Sequence, residues 1–210
     1  MILVLKRTNE EFSVESGLNS FYFENKEYYR NVLYSLEEEI SLIDHSNLIS
    51  FSKCLVIKNI LDIDLNDKKN VGFLYKLLTK KIKSEHYDDF KSVVSNFYKL
   101  FDDLLFEVDL PVEFNEEDIT KLLQSFDFKF KSSNNYYVSA LSDYFRTSML
   151  INNFNAIMTF NLTNMLTNNE IFLLNEELKK SQIAVIDFDV FAGNNLPNKI
   201  IVIDDDLCII

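Results

Sequence analysis

Glycine and proline are scarce in this chain, and their scarcity restricts the folds that it can adopt. Three glycines (Gly17, Gly72 and Gly193) and two prolines (Pro111 and Pro197) occur in 210 residues. An all-β sandwich needs many tight turns, which glycine and proline normally supply. The apolar fraction of 47% is nevertheless high enough for a sizeable core. The sequence therefore predicts a folded protein that is not all-β.

Short apolar runs alternate with helical patterns at both ends of the chain. Runs typical of strands occur at 2–6, 20–24, 40–44, 53–60, 156–160, 183–188 and 199–204, with 207–210 as a candidate partner of the last. Helical patterns cover 26–38, 137–152 and 169–180. Apolar strands that alternate with helices indicate an α/β fold with a mostly parallel sheet and flanking helices.

The middle of the chain differs, because almost nothing between 67 and 124 has the pattern of a strand. Helical patterns run over 69–83, 86–106 and 116–125. We therefore predict a head domain built from 1–66 and 126–210, with an inserted α-helical leg domain over 67–125.

The segment 68–83, KKNVGFLYKLLTKKIK, is basic although the whole chain has a net charge of −12. It contains no acid and six lysines: Lys68, Lys69, Lys76, Lys80, Lys81 and Lys83. On a helix, all of them except Lys68 and Lys81 lie within roughly 60° of one another. Such a stripe suits a phosphate backbone, which is recognised by charge and position and not by base identity. We predict that these lysines bind DNA; a solvated helix face and a surface for an acidic protein partner are the alternatives.

Motifs of the common nucleotide and catalytic sites do not occur in the sequence. A phosphate-binding loop needs clustered glycines, which this chain does not have. The two histidines, His45 and His86, have no recognisable partner in sequence, and Cys54 and Cys208 form no zinc motif. Both cysteines lie in apolar runs, so we expect both thiols to be buried.

Aspartates at the ends of two predicted strands support an alternative function. Asp187 and Asp189 are two residues apart on a strand and therefore share a face. Together with 204–206, DDD, they could bind a divalent ion, as in a metal-dependent nuclease that uses Asp187, Asp189, Asp204, Asp205 and Asp206. The simpler interpretation is that these acids lie where strands emerge into solvent.

Carboxylates are also concentrated between 107 and 118. They are Glu107, Asp109, Glu113, Glu116, Glu117 and Asp118. The last three fit the first turn of the following helix, where the helix dipole favours negative charge. An irregular acidic loop is also a reasonable host for calcium, although the spacing is not that of an EF-hand.

We expect a cytoplasmic protein without membrane contact. No apolar run approaches the roughly 18 residues that span a bilayer. The start, MILVLKRTNEEF, has no basic region before its apolar run, so it is predicted to be a strand and not a signal peptide.

Several stretches resemble the small accessory protein of type II-A CRISPR adaptation modules. They are 28–66 (YYRNVLYSLEEEISLIDHSNLISFSKCLVIKNILDIDLN), 157–189 (IMTFNLTNMLTNNEIFLLNEELKKSQIAVIDFD) and the ending IIVIDDDLCII. The order and spacing of these elements carry the resemblance, which spans nearly the whole chain.

The resemblance implies a non-catalytic protein with a P-loop-ATPase-like head that has lost its nucleotide site. It implies a ring-shaped homotetramer whose basic lumen holds the ends of double-stranded DNA without sequence preference. The protein would act in spacer acquisition, with the spacer integrase and the RNA-guided nuclease of the same system as partners.

Calcium is a further implication of the resemblance. The family's acidic loop corresponds best to 107–120, and by position Glu113 and Glu116 match acids of the family. Pro111 and Asn115 occupy places where acids are expected. The candidate metal ligands are thus Glu113, Glu116 and Glu117.

Overall fold

The chain divides into two compact units. The computed structural model describes residues 1–108, 118–130, 137–190 and 200–209. Met1–Asp64 and Ser132–Ile210 form one unit, here called the head, and Leu65–Lys131 forms the other, here called the leg. Whether the units correspond to independently folding domains with the limits predicted above stays a prediction.

The described part of the chain contains nine strands and seven α-helices. The strands are β1 (Ile2–Leu5), β2 (Glu10–Ser13), β3 (Gly17–Phe23), β4 (Ile40–Asp44), β5 (Asn47–Ile49), β6 (Cys54–Ile57), β7 (Ala156–Phe160), β8 (Ala184–Val190) and β9 (Ile200–Ile203). The helices are α1 (Lys26–Tyr34), α2 (Leu36–Glu39), α3 (Lys68–Glu85), α4 (Tyr87–Val108), α5 (Ile119–Ser125), α6 (Tyr137–Asn152) and α7 (Asn168–Lys180). No helix among the described residues is long and apolar enough to cross a membrane.

A five-stranded parallel sheet forms the centre of the head, in the order β6-β7-β8-β3-β9. Strands β3 and β7 are buried at every position, and most of their residues are apolar, as expected for a parallel sheet that is covered on both faces. The α/β fold with a mostly parallel sheet and a helical region is therefore confirmed.

Side chains alternate between the two faces of this sheet, so each face has its own core. On one face, Phe160 and Phe188 pack with α1 and with residues of β1 and β4. On the other face, Ile157 and Val185 pack with α6 and α7. Helix α7 begins with a capping box, in which the side chain of Thr167 and that of Glu170 each bind the other residue's backbone amide.

Strands β1 and β4 do not belong to the parallel sheet but to a second, antiparallel sheet in the order β2-β1-β4-β5. Only His45 and Ser46 connect β4 to β5, and both have positive φ (46° and 67°). A two-residue turn of this kind forces antiparallel pairing, since parallel strands need a crossover of a dozen residues or more. The sequence does not predict this turn, because the turn contains no glycine.

The leg has its own small core, made by α3 and α5. Tyr75, Ile119 and Leu123 are buried there, with Val71, Leu78, Ile82 and Phe90 packed around them. The two ends of the unit are joined by the side chain of Asn66, which donates to the carbonyl of Phe130 (3.1 Å) and accepts from its amide (2.8 Å).

Two fully buried aspartates lie on β8. Asp187 accepts hydrogen bonds from the Thr159 hydroxyl (2.6 Å) and from the amides of Leu162 (3.2 Å) and Thr163 (2.9 Å). Asp189 accepts from the Thr163 hydroxyl and from the amide of Asn164 (3.3 Å). The carboxylates thus bind three successive amides of the segment that follows β7.

Burial, together with the neighbouring Asp187 carboxyl, raises the pKa of Asp189 to about 8. In the unfolded chain an aspartate titrates near pH 4. Between about pH 4 and pH 8 the folded state therefore holds a proton that the unfolded state has released. The free energy of unfolding falls as the pH rises through this window.

Replacing Asp189 by asparagine should remove this pH dependence, because the amide keeps the shape and an acceptor oxygen but does not titrate. Measured by urea unfolding, the stability of the wild type relative to Asp189→Asn should fall by up to about 1.4 kcal/mol per pH unit between about pH 5 and pH 8. The exposed control Asp206→Asn should follow the wild type. If the free energy of unfolding depended on pH in the same way in the wild type and in Asp189→Asn, the raised pKa of Asp189 would be contradicted.

Candidate nucleic-acid interface

Helix α3 carries all six lysines that the sequence predicts for DNA binding. It begins after Asp67, whose side chain caps the helix by accepting from the amide of Asn70 (2.7 Å). Its only acid is Glu85, at the C-terminal end. The helix is thus basic over almost its entire length.

Packing of the apolar face of α3 fixes the direction in which the lysines point. Tyr75 is buried in the leg core, and Val71, Leu78 and Ile82 are partly buried around it. All six lysine side chains are exposed. Because the apolar face is fixed, the helix cannot rotate to bring its charged face inward without exposing that core.

Few of these charges are neutralised by neighbouring side chains. The ammonium of Lys81 lies 3.6 Å from Glu85, and that of Lys76 lies 5.3 Å from the centre of the Phe73 ring. Within the described residues, Lys76 forms no ion pair, and neither do the remaining four: Lys68, Lys69, Lys80 and Lys83. From Lys69 to Lys83 the stripe is about 21 Å long at 1.5 Å per residue.

A stripe of this length matches about six nucleotides of one strand, whose axial rise is about 3.4 Å each. Lysine ammonium groups are mobile point charges that tolerate variation in phosphate position. The stripe can therefore bind a strand without reading its bases. Acidic groups more than roughly 8 Å from the stripe contribute little to its local field, because they are screened at physiological salt.

A second surface of the leg, the apolar face of α4, was not identified from the sequence. Val93, Phe97, Leu100 and Leu104 are between 45% and 53% exposed. Their spacing of four, three and four residues places them on one line along the helix, as in the seam of a coiled coil. The apolar spacing is visible in the sequence. Whether this apolar face is exposed, however, depends on which side of α4 packs against the leg core.

The predicted calcium ligands Glu113, Glu116 and Glu117 lie outside the described residues. Of the same cluster, Asp118 caps α5 by accepting from the amides of Thr120 (2.9 Å) and Lys121 (3.2 Å). Across the described ranges, no group of three or more acids, histidines or cysteines is arranged to bind a metal ion.

The aspartates of the nuclease alternative are not brought together as a catalytic site. Asp187 and Asp189 are fully buried and bind backbone amides, whereas Asp204 caps a turn by accepting from the amides of Asp206 (3.0 Å) and Cys208 (2.7 Å). The expectation that Asp187 and Asp189 emerge into solvent at a strand end is wrong. They share a face as predicted, but that face is covered by the segment after β7.

The cysteines and histidines form no reactive pair with each other among the contacts of the described residues. Cys54 is buried, and burial raises the pKa of its thiol to about 11. Cys208 is exposed, so the expectation that it is buried is wrong: it lies just after the turn at Asp204, beyond the last full strand. The imidazole of His45 lies 3.9 Å from the Asp44 carboxylate, and that of His86 lies 3.8 Å from the Asp89 carboxylate.

Comparison with known proteins identifies the family. Residues 33–207 match the model of the family described as CRISPR-associated protein (Cas_Csn2). The match covers most of the head and the entire leg, including the lysine stripe. No individual curated protein matches the chain. Since the family model covers well over half of the sequence, the chain belongs to the Cas_Csn2 family of CRISPR-associated proteins.

Proposed function

We propose that this protein is a non-catalytic, sequence-independent binder of double-stranded DNA ends that acts in CRISPR spacer acquisition. The observation that carries the proposal is the exposed lysine stripe on α3, which is held outward by the leg core. Membership of a CRISPR-associated family supports the biological setting. In this setting its expected partners are the spacer integrase and the RNA-guided nuclease.

Electrostatics supplies the affinity in this proposal. Each lysine that neutralises a phosphate releases counterions, so the logarithm of the binding constant falls by about 0.9 per phosphate for each tenfold rise in salt. Binding is therefore tight at low salt and insensitive to sequence. The whole chain carries −12 and the segment 68–83 carries +6, so the remainder carries −18, which repels DNA from other surfaces and restricts contact to the lysine stripe.

Self-association completes the proposal, because a single leg presents one stripe to one side of a duplex. The apolar face of α4 supports a contact with a second copy: a seam of four half-exposed apolar side chains is costly in water and matches a like helix. A ring of four copies would surround the duplex with four stripes and confer a preference for free ends. Calcium at Glu113, Glu116 and Glu117 remains a prediction, and no step of this proposal depends on it.

The lysine stripe is tested by reversing three of its charges. The variant Lys76→Glu, Lys80→Glu, Lys83→Glu should bind a linear duplex about a hundredfold or more weakly. Its logarithmic salt slope should be less steep by about three. Fluorescence anisotropy at several salt concentrations measures both quantities.

A matched control changes three exposed lysines of the head: Lys26→Glu, Lys58→Glu, Lys180→Glu. It has the same net charge as the test variant, so it should retain most of the affinity if binding is local to α3. If both variants lost the same affinity for the duplex, the lysine stripe would not be the binding site. Cleavage of labelled duplex by the wild type with magnesium would instead favour the nuclease, and displacement of DNA by an acidic partner protein would favour the interaction module.

Assembly is tested on α4. The variant Phe97→Glu, Leu100→Glu should dissociate to a smaller species, because burying carboxylates in an apolar contact costs several kcal/mol. Light scattering after size exclusion should give about four times the subunit mass for the wild type and less for the variant.

The control for this experiment is Leu150→Glu on α6, where the leucine is 77% exposed. It introduces the same side chain on the head and should leave the assembled mass unchanged. An unchanged mass for the α4 variant would show that this face is not the contact between copies.

A further inference from the structure

An open cleft lies beside the lysine stripe, within the leg and between α3 and α5. Its volume is about 440 Å³. The residues that line it are Lys76, Thr79, Lys80, Lys83, Ser84 and Thr120. In the described part of the chain no acid borders it, so half of its lining residues are cationic and the rest are hydroxyl-bearing.

Two threonine hydroxyls meet in this cleft. The Oγ1 atoms of Thr79 and Thr120 are 3.2 Å apart, from residues 41 positions apart in sequence. Either hydroxyl can donate to the other. Whichever one accepts still has its own proton, so the pair retains one donor for a ligand. Ser84 is not equivalent, because its hydroxyl already donates to the carbonyl of Lys81 (3.3 Å).

The groups available in the cleft are donors. Lysine ammonium groups have three donors and no acceptor, and the threonine pair adds one directional donor. These donors come from α3 and α5 and point into one cleft. A ligand that accepts from several of them needs several charged oxygens. A phosphate group offers these around a tetrahedral centre, and serine or threonine hydroxyls are regular partners of nucleic-acid phosphates.

An adjoining hollow of about 420 Å³ differs in character. It shares Thr79, Lys83 and Thr120 with the cleft, but its other lining residues are Tyr87, Phe90, Asp118 and Ile119. The Asp118 carboxylate repels an anion there. The basic cleft is therefore the side of the threonine pair on which an anion is favoured.

We propose that the cleft between α3 and α5 is a phosphate pocket, in which the Thr79–Thr120 hydroxyl pair donates to one phosphate of a bound strand while Lys76, Lys80 and Lys83 surround it. The inference rests on the proposed DNA binding and adds a positioning contact to it. The lysines attract any phosphate along the stripe, whereas the hydroxyl pair fixes one of them at a defined place on the leg.

A neutral hydroxyl contact has a signature that separates it from the lysines. It contributes to affinity at every salt concentration but releases no counterion, so it does not alter the salt slope. The variant Thr79→Val, Thr120→Val keeps the shape of both side chains and removes both hydroxyls. It should bind duplex about tenfold more weakly, the loss expected for a hydrogen bond to a charged group, with a slope equal to that of the wild type.

Anisotropy titrations with 5′-phosphorylated and 5′-hydroxyl duplexes of one sequence decide the matter. A loss confined to the phosphorylated duplex assigns the pocket to a terminal phosphate, and an equal loss with both assigns it to a phosphate within the strand; either supports the proposal. Thr79→Ser, Thr120→Ser should retain wild-type affinity, and so should the control Thr147→Val on α6. If the double valine variant does not unfold cooperatively, Thr79→Ala, Thr120→Ala gives the same test, because it also removes both hydroxyls.

If the double valine variant bound both duplexes with wild-type affinity, the proposal that this cleft binds a phosphate would be overturned. A loss accompanied by a shallower salt slope would also overturn it, because that result means displaced lysines. Neither outcome affects the proposed function, which is decided separately: it fails if reversal of Lys76, Lys80 and Lys83 leaves binding unchanged.

Discussion

The lysine stripe can persist on α3 only because the opposite face of the same helix is fixed to the leg core. Like charges along one side of a helix repel each other and, by themselves, destabilise it. Burial of Tyr75, with Val71, Leu78 and Ile82 partly buried beside it, opposes that cost. The positive charge of the lysine stripe is therefore concentrated on one surface, and few neighbouring acids neutralise it. An external polyanion relieves the repulsion, so binding and helix stability are coupled.

In the head, part of the edge where parallel sheets usually bind ligands is occupied by the protein's own carboxylates. In open α/β sheets, ligands bind outside the carboxyl ends of the strands. Here the carboxylates of Asp187 and Asp189 bind the amides of residues 162–164 after β7, which are groups that could otherwise hold an anion. The lack of glycine-rich loops agrees with this arrangement. The lysine stripe and the apolar face of α4 are both in the leg.

Much of this organisation could be predicted from the sequence, because it depends on local patterns. The helix predicted over 69–83 is α3 (Lys68–Glu85), and the runs of the parallel sheet fall on observed strands. Features set by contacts distant in sequence could not be predicted. The burial of Asp187 requires the segment after β7, and the cleft requires Thr120 of α5 to meet Thr79 of α3. The β4–β5 turn of the antiparallel sheet could not be predicted, because His45 and Ser46 adopt positive φ without glycine.

In the function proposed above, the lysine stripes of several copies surround DNA and admit it by a free end. The most direct test is a titration with linear and closed-circular duplex of identical sequence at several salt concentrations. The protein should bind the linear form with salt-sensitive affinity and bind the closed circle weakly or not at all. Equal affinity for both forms would contradict a closed ring, and the absence of binding to either would contradict DNA binding itself.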